Sequence, residues 1–362
     1  MIDFYLFPIS YAFLTFPVAA AIFTVPFLVV QYRRHGYIHK YRALILYLLL
    51  LYLLNAVYLI VLPLPPSIHN APPDADSYFQ WIPFHFLTDI ARETAVVIDR
   101  PSTYLHLLGE RAFLQVAFNV LLTVPFGLFL RYYFRTHWVR CLLFSFGLSL
   151  LFETTQVTGI FGIYDYPYRL FDVDDLMTNT LGGMLGYVAG EWLARRLPRI
   201  DRLDDNVDLS TKRVSYTRRA LAAAIDWALL MPASAVAFVL RLPPLYAYAG
   251  IVILYFVVLP YITNGRTAGK WVVRIRIRGE GDRVTLKELA VRYGLFYLIF
   301  GGLNVAYPVL AVRELPPLPL ILYAVGLFAL NAFLAAHLIR CVFNRRRVPI
   351  HDQWSRTRHV IG

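Results

Sequence analysis

The chain has 362 residues, of which 58% are hydrophobic and 16% charged, and its formal net charge is +12. Soluble domains are about half apolar and about a quarter charged, so this composition excludes an ordinary soluble domain and indicates a polytopic membrane protein. The two cysteines, Cys141 and Cys341, offer neither a disulfide framework nor a zinc-binding spacing. We therefore predict no metal and no cofactor.

Nine apolar stretches of the chain are long enough to predict transmembrane helices. They are residues 5–30, 42–62, 113–133, 138–157, 175–194, 219–240, 244–262, 292–312 and 319–340. The first has its basic residues after it rather than before it, which predicts an uncleaved first span. The predicted fold class is an all-α, polytopic transmembrane helical bundle of about nine spans.

The distribution of basic residues predicts the orientation. With the N-terminus outside, the predicted cytoplasmic segments hold 29 of the 35 Lys and Arg residues. These segments are residues 31–42, 131–140, 195–219, 263–292 and 340–362. The remaining six are Arg92, Arg100, Arg111, Arg169, Arg241 and Arg313. The positive-inside rule then favours an N-out, C-in topology, and the positive charge is no evidence for a nucleic-acid partner.

Polar segments divide the chain. Residues 196–218 predict a cytoplasmic linker between a transmembrane unit of residues 1–195 and a second unit of residues 219–362. In the second unit, the alternation in "WVVRIRIR" and the following "GEGD" turn predict a small cytoplasmic hairpin. Arg274, Arg276 and Arg278 share one face of it, which we interpret as contacts to anionic lipid and topology signals rather than a ligand site.

The third, fourth and fifth spans each carry polar residues on one helical face. At a rise of about 1.5 Å per residue, Asn119, Glu153 and Asn179 lie only about 6–9 Å inside the outer boundary. Polar groups in hydrocarbon usually face a bundle interior or a wet cavity. We therefore predict one outward-facing polar cluster. Its members are Asn119, Glu153, Gln156, Arg169, Asp172, Asp175 and Asn179.

Structural roles are alternatives for most of these residues. Asp172 can cap the fifth span, while Asp174 and Asp175 complement its helix dipole. The glycines at every fourth position of that span suit helix packing, and they would also allow a homodimer. Glu153 differs, because an ionisable group inside a span is by default a functional candidate.

An aromatic segment precedes the third span. "SYFQWIPFHFLTDIARETAVVI" (77–98) is typical of the membrane headgroup region. An aromatic belt is the simpler interpretation. The functional one places Trp81 and Phe84 on the rim of the polar cluster, where they would contact an acyl tail.

Four motifs in the first unit together resemble the VanZ-like family. They are "WIPFHFL" (81–87), "FNVLLTVPFGLFL" (118–130), "SLLFETTQ" (149–156) and "YRLFDVDDLMTNTLGGMLGY" (168–187). The resemblance spans roughly residues 42–195 and implies a bacterial envelope membrane protein, located in the plasma membrane and linked to teicoplanin resistance. His85 and Phe86 depart from the family pattern, which has a more polar residue there.

In the second unit, "TRRALAAAIDW" places Arg219 and Asp226 two turns apart on one helical face. We expect Arg219 to contact Asp226 or Asp352, because an isolated charge would be costly. These residues, with the loop "GRTAGK" that contains Arg266 and Lys270, resemble the RDD family over residues 213–362. That resemblance implies either a structural ion pair or an ion-coupling role.

Three functions compete. The favoured one is non-enzymatic recognition of an amphipathic lipid or lipoglycopeptide at the outer leaflet, with membrane lipids or a cell-wall lipid as partners. The second is sodium–proton antiport through the second unit. The third is an enzyme acting on an envelope lipid, with Glu153 as acid or base, but the sequence predicts no catalytic nucleophile or phosphate-binding loop beside it.

Overall fold

The computed structural model describes residues 2–73, 77–97, 99–205, 207–209, 213–312, 316–344 and 347–362. The chain forms two compact units. The first comprises Met1–Phe23 and His39–Asn206, and the second comprises Thr24–Ile38 and Val207–Gly362. The first helix therefore contributes to both units. Asn206 and residues 210–212 of the predicted linker, and Arg313 of the predicted external side, lie outside the described residues.

The first unit is built from helices and one very short sheet. Its helices are α1 (Ile2–His35, shared with the second unit), α2 (Lys40–Val61), α3 (His85–Glu93), α4 (Arg111–Tyr132), α5 (Trp138–Val157), α6 (Gly159–Gly162) and α7 (Val173–Ala194). Two 3-10 helices cover Pro101–Gly109 and Ile200–Arg202. Strand β1 (Phe79–Gln80) pairs in parallel with β2 (Phe171–Asp172).

The second unit continues with helices that contain two π-helical turns. Its helices are α8 (Tyr216–Val239), α9 (Pro244–Val252), α10 (Leu259–Ile262), α11 (Ala268–Val272), α12 (Leu286–Tyr293), α13 (Gly302–Val312), α14 (Pro317–Phe343) and α15 (Ile350–Trp354). The π-helical turns are Ile253–Val258, between α9 and α10, and Gly294–Gly301, between α12 and α13. Its strands are β3 (Ile275–Arg278) and β4 (Arg358–Ile361).

Eight helical segments in the described part of the chain are long and apolar enough to cross a membrane, which confirms a polytopic helical bundle. They correspond to eight of the nine predicted spans, and the fifth predicted span is the exception. That segment forms α7, a helix of 22 residues, but it is not among the eight. The reason is its composition: one face of α7 consists of glycines and an amide that pack against protein, so this helix is less apolar than its neighbours.

The strand predicted in the second unit forms, but its partner differs from the expectation. Strand β3 pairs antiparallel with β4, so that Ile275 lies opposite Ile361. In the predicted hairpin, the partner would have been the segment after the "GEGD" turn. That segment instead reaches Thr285, which caps α12 in a capping box with Glu288 and leaves too few residues for a second strand.

Glycines let α4 and α7 approach until their backbones touch. A Cβ atom built on Gly127 would lie 1.8 Å from the carbonyl oxygen of Gly183. Cβ atoms on Gly182 and Gly186 would lie 2.1 and 2.0 Å from carbonyl oxygens of α4. Small residues allow this kind of close contact between membrane helices. The glycine face that could have served a homodimer is therefore used within the chain.

Part of the predicted linker packs on the first unit. Arg42, which is 2% exposed, forms an ion pair of 2.8 Å with Asp204. The hydroxyl of Tyr132 also donates to the carbonyl of Pro198 at 2.8 Å. These contacts explain why residues up to Asn206 belong to the first unit.

An alanine at Gly186 tests the α4–α7 contact. We expect Gly186→Ala to lower the free energy of unfolding by more than about 2 kcal/mol, because the new methyl group would overlap the α4 backbone. Gly147→Ala is the matched control, since nothing lies within 4 Å of a Cβ atom at that position on α5. Thermal unfolding of both variants in detergent measures the difference. Equal stabilities would contradict the proposed contact.

Candidate functional site

The acidic start of α7 organises the end of the first unit that the sequence predicts to face outward. Asp172 is the N-cap of this helix, and its carboxylate accepts a hydrogen bond of 2.8 Å from the backbone N–H of Asp174. Capping satisfies an amide that would otherwise lack a partner. Burial raises the pKa of the Asp172 carboxyl, while the hydrogen bond from Asp174 opposes that effect. The sequence prediction of a capping role for Asp172 agrees with this geometry.

Asp174 holds the aromatic segment. Its Oδ1 accepts from the N–H of Phe84 at 2.6 Å, and its Oδ2 accepts from the N–H of Phe86 at 2.8 Å. The side chain is almost fully buried. The sequence analysis assigned Asp174 to the helix dipole, and nothing in its spacing shows that Phe84 and Phe86 supply its donors. This anchoring contact of Asp174 was missed by the sequence analysis.

Asp175 joins α7 to α4. Asn119 donates from its Nδ2 to Asp175 Oδ1, and one turn further in the hydroxyl of Thr123 donates to the carbonyl of Asn179 at 2.5 Å. The side chain of Asn179 in turn donates to the hydroxyl of Ser149 on α5 at 3.1 Å. Polar residues of α4 and α5 therefore meet the same face of α7.

Glu153 closes the same network from α5. The residue is 2% exposed, so it does not face lipid. Its Oε2 accepts from the backbone N–H of Asp172 at 3.0 Å. Glu153 is therefore placed to position the start of α7, whereas Asp172 and Asp175 remain partly accessible.

Two members of the predicted cluster also donate hydrogen bonds to the end of α2. Gln156 donates to the carbonyl of Ile60 at 3.0 Å, and Arg169 donates to the carbonyl of Leu62 at 3.2 Å. These carbonyls lie at the end of α2, where a helix leaves backbone acceptors without intrahelical donors. The contacts give Gln156 and Arg169 a role in terminating α2.

The aromatic residues lie beside the acidic residues. In the β1–β2 pair, Phe79 lies opposite Phe171 and Gln80 lies opposite Asp172. The ring of Trp81 stacks on Phe79 with centroids 5.3 Å apart and lies equally close to Phe171. Trp81 is 63% exposed and Phe84 is 54% exposed. A large accessible aromatic surface thus adjoins the start of α7.

In the second unit, Asp352 connects two arginines. Its Oδ2 lies 2.6 Å from Arg219, and its Oδ1 lies 2.6 Å from Arg292. Arg219 thus pairs with one of the two partners that the sequence predicted. The hydroxyl of Thr357 accepts from Arg292 at 2.6 Å. Arg292 was missed, although a charged residue within the start of a predicted span was a usable signal.

Asp226 has other partners. Its Oδ1 accepts from the Tyr255 hydroxyl at 2.8 Å and from the Gly269 N–H at 2.6 Å. Its Oδ2 accepts from Thr267 at 2.7 Å and lies 3.6 Å from Lys270 Nζ. The predicted loop residue Lys270 therefore does meet a predicted aspartate. The other predicted loop residue, Arg266, lines a separate cavity of about 220 Å³.

Arg218 was also missed. It is 1% exposed and donates to the carbonyls of Val273 at 2.6 Å, Gly36 at 2.8 Å and Arg274 at 2.9 Å. A guanidinium has five N–H donors, so three backbone acceptors satisfy much of it without a carboxylate. The sequence favoured its neighbour Arg219 because that residue shares a helical face with Asp226.

No group of three or more His, Cys, Asp or Glu residues in the described ranges is arranged to hold a metal ion. The titratable groups near Asp352 nevertheless have shifted pKa values. Burial and the charge of Arg292 lower the pKa of His351 to about 3. Burial likewise lowers the pKa of His359 well below its usual value. Burial alone would raise the pKa of Asp352, but Arg292 and Arg219 outweigh it and lower that pKa.

Replacing Asp174 should loosen the aromatic segment. In Asp174→Asn, one acceptor oxygen becomes an NH₂ group that cannot accept from the backbone. We expect at least tenfold faster hydrogen exchange at the amides of Phe84 and Phe86, which corresponds to about 1.4 kcal/mol. Asp165→Asn, a change at an exposed carboxylate paired with His69, is the control. Unchanged exchange in Asp174→Asn would contradict the anchoring role.

The low pKa of His351 predicts acid sensitivity of the second unit. Below about pH 6.5 an unfolded chain protonates this histidine and the folded chain does not, so the free energy of unfolding falls as the pH drops from 6.5 toward 3. The loss should be about 2 kcal/mol at pH 5. We expect His351→Gln to flatten the decrease in thermal stability between pH 7 and pH 5, while His69→Gln should not. Parallel curves for wild type and His351→Gln would refute this assignment.

Comparison with known families agrees with this division of the chain. Residues 49–194 match the family model described as VanZ/LLP1, and residues 213–356 match the model of the RDD family. No curated protein and no solved structure shows significant similarity to the chain. The long apolar helices and both families identify a multi-pass membrane protein. The chain is therefore a fusion of a VanZ-family region with an RDD-family region.

Proposed function

We propose that the VanZ-family region recognises an amphipathic molecule, a lipid or lipoglycopeptide, at the outer leaflet of a bacterial plasma membrane and thereby contributes to teicoplanin-type resistance. The family matches support a membrane protein of the cell envelope. One observation supports recognition of an amphipathic molecule: an accessible aromatic surface adjoins partly accessible carboxylates at the start of α7.

The aromatic surface suits an apolar tail. Trp81 and Phe84 are both more than half exposed, and the Phe79–Trp81 stack fixes the plane of the indole ring. An aromatic ring held in one orientation contributes a large contact area at a low entropy cost. Exposed apolar patches of this kind mark interaction sites for lipids or proteins.

The carboxylates suit a polar head group that donates hydrogen bonds. Asp172 and Asp175 are half-buried, whereas Glu153 and Asn179 are buried. Hydroxyl or ammonium groups of a glycosylated ligand would therefore contact Asp172 and Asp175. The buried members act as positioning residues, because Glu153 holds the backbone of Asp172 and Asn119 orients Asp175.

The two alternatives receive less support. Sodium–proton antiport through the RDD-family region would need a carboxylate that exchanges an ion, but both oxygens of Asp226 already accept hydrogen bonds from Tyr255, Thr267 and Gly269. Enzymatic use of Glu153 would need an accessible group, and this side chain is 2% exposed and bound to the backbone of α7. We therefore favour a binding function over transport or catalysis.

Drug susceptibility tests the proposal. Cells that carry wild-type protein should tolerate more teicoplanin-type lipoglycopeptide than cells without it, and Asp175→Asn should abolish that protection. The asparagine keeps one oxygen that can accept from Asn119, but it removes the charge and replaces the second carboxylate oxygen with an NH₂ group. Glu153→Gln should reduce protection through the position of Asp172. Asp165→Asn, which removes an exposed charge from the loop between α6 and β2, should protect as well as wild type.

The measurement compares inhibitory concentrations at matched membrane levels of each variant, together with thermal stability in detergent. Full protection by Asp175→Asn would show that the aspartates only cap the helix. Loss of protection that follows protein level alone would contradict recognition as well.

A further inference from the structure

A cleft in the second unit is lined by five arginines. Its volume is about 790 Å³, and strands β3 and β4 form one wall. The charged residues that line it are Arg213, Arg219, Arg276, Arg278, Asp352 and Arg358. Ligand pockets for small molecules typically measure about 300–1,000 Å³, so the cleft is large enough for a small ligand. The basic residues of this region belong to the predicted cytoplasmic side.

The strand pattern directs the arginines into the cleft. Ile275 and Ile277 are each 1% exposed and form the buried face of β3, so Arg276 and Arg278 occupy the opposite face. Arg278 lies directly opposite Arg358 in the antiparallel pair. Like charges at directly opposed positions destabilise a sheet. Repulsion between Arg278 and Arg358 therefore destabilises this wall of the cleft.

Carboxylates of the described chain do not offset that cost. Neither Arg276, Arg278 nor Arg358 forms an ion pair with an acidic residue within the described ranges. Asp352 lines the cleft, but Arg219 and Arg292 each lie 2.6 Å from its oxygens. The Nε atom of Arg276 is buried and has no hydrogen-bond partner among the described atoms. The guanidinium groups therefore retain donors for a ligand.

We propose that this cleft binds a phosphate-bearing anion through Arg276, Arg278 and Arg358. Guanidinium groups form bidentate, charge-assisted hydrogen bonds with phosphate oxygens, and a bound anion would remove the repulsion between Arg278 and Arg358. The same chemistry is offered by the head group of an anionic phospholipid and by a free phosphate compound. This site lies in the RDD-family region and is independent of the recognition site proposed for the VanZ-family region.

The test uses the full chain, purified and reconstituted in nanodiscs. Inorganic pyrophosphate is titrated against discs of neutral lipid, and in a second arm the discs contain increasing fractions of phosphatidylglycerol. We expect one of these anions to raise the melting temperature of the second unit in a saturable way. The double variant Arg278→Gln/Arg358→Gln should bind it on the order of tenfold more weakly or worse. Arg276→Gln alone should weaken binding without altering the opposed pair.

The control is Arg356→Gln, which removes an equal charge two residues from Arg358. Arg356 is 74% exposed and its ion pair of 3.5 Å is with Glu280. Binding of pyrophosphate would identify a free phosphate ligand, and a response to phosphatidylglycerol alone would identify a lipid head group. The proposal is overturned if neither anion stabilises the wild type, or if Arg356→Gln weakens binding as much as the cleft variants. If the double variant does not fold, Arg276→Gln decides: unchanged binding would overturn the site.

Discussion

Backbone contact between α4 and α7 is the constraint on which the first unit depends. Only glycine at positions such as 182 and 186 lets the two helices come so close that a Cβ atom would overlap a carbonyl oxygen. That distance allows the hydroxyl of Thr123 to reach the carbonyl of Asn179, and it brings Asn119 to Asp175. The hydrogen bonds near the start of α7 therefore depend on a close glycine contact further along the helix pair. Glycine packing and polar hydrogen bonds therefore occur together at adjacent positions on one face of α7.

Helical periodicity in the sequence correctly predicted which polar side chains face inward. Residues such as Ser149, Glu153 and Asn179 recur at intervals that place them on inward faces, and the structure buries all three. Hydrogen bonds and strand pairs between segments that are far apart in the chain were predicted poorly from the sequence. The donors to Asp174 come from Phe84 and Phe86, and no local pattern encodes that pairing. The same limit explains β3, whose alternation revealed a strand but whose partner lies far along the chain.

The two units solve the problem of buried charge in different ways. In the first, carboxylates at the start of α7 are held mainly by backbone amides, which suit anionic groups at a helix N-terminus. In the second, Asp352 is held by two guanidinium groups, while Arg218 donates to three carbonyl oxygens and lies over the ring of Tyr32. Periodicity favoured Arg219 as the partner of Asp226 because the two share a face. In the structure, Thr267 donates a hydrogen bond to Asp226, and Arg219 pairs with Asp352 of α15.

The pairing of β3 with β4 has a consequence for how the protein is made. In a chain that enters the membrane during synthesis, β3 emerges from the ribosome long before residues 358–361. During that interval, Ile275 and Ile277 lack their strand partner. The second unit also takes Thr24–Ile38 from the first helix, and Arg218 bonds to the carbonyl of Gly36. Residues 24–38 and strand β4 are thus synthesised at widely separated times. Completion of this unit is a post-insertion event, and a nascent chain stalled before β4 would expose an unpaired strand edge to cellular quality control.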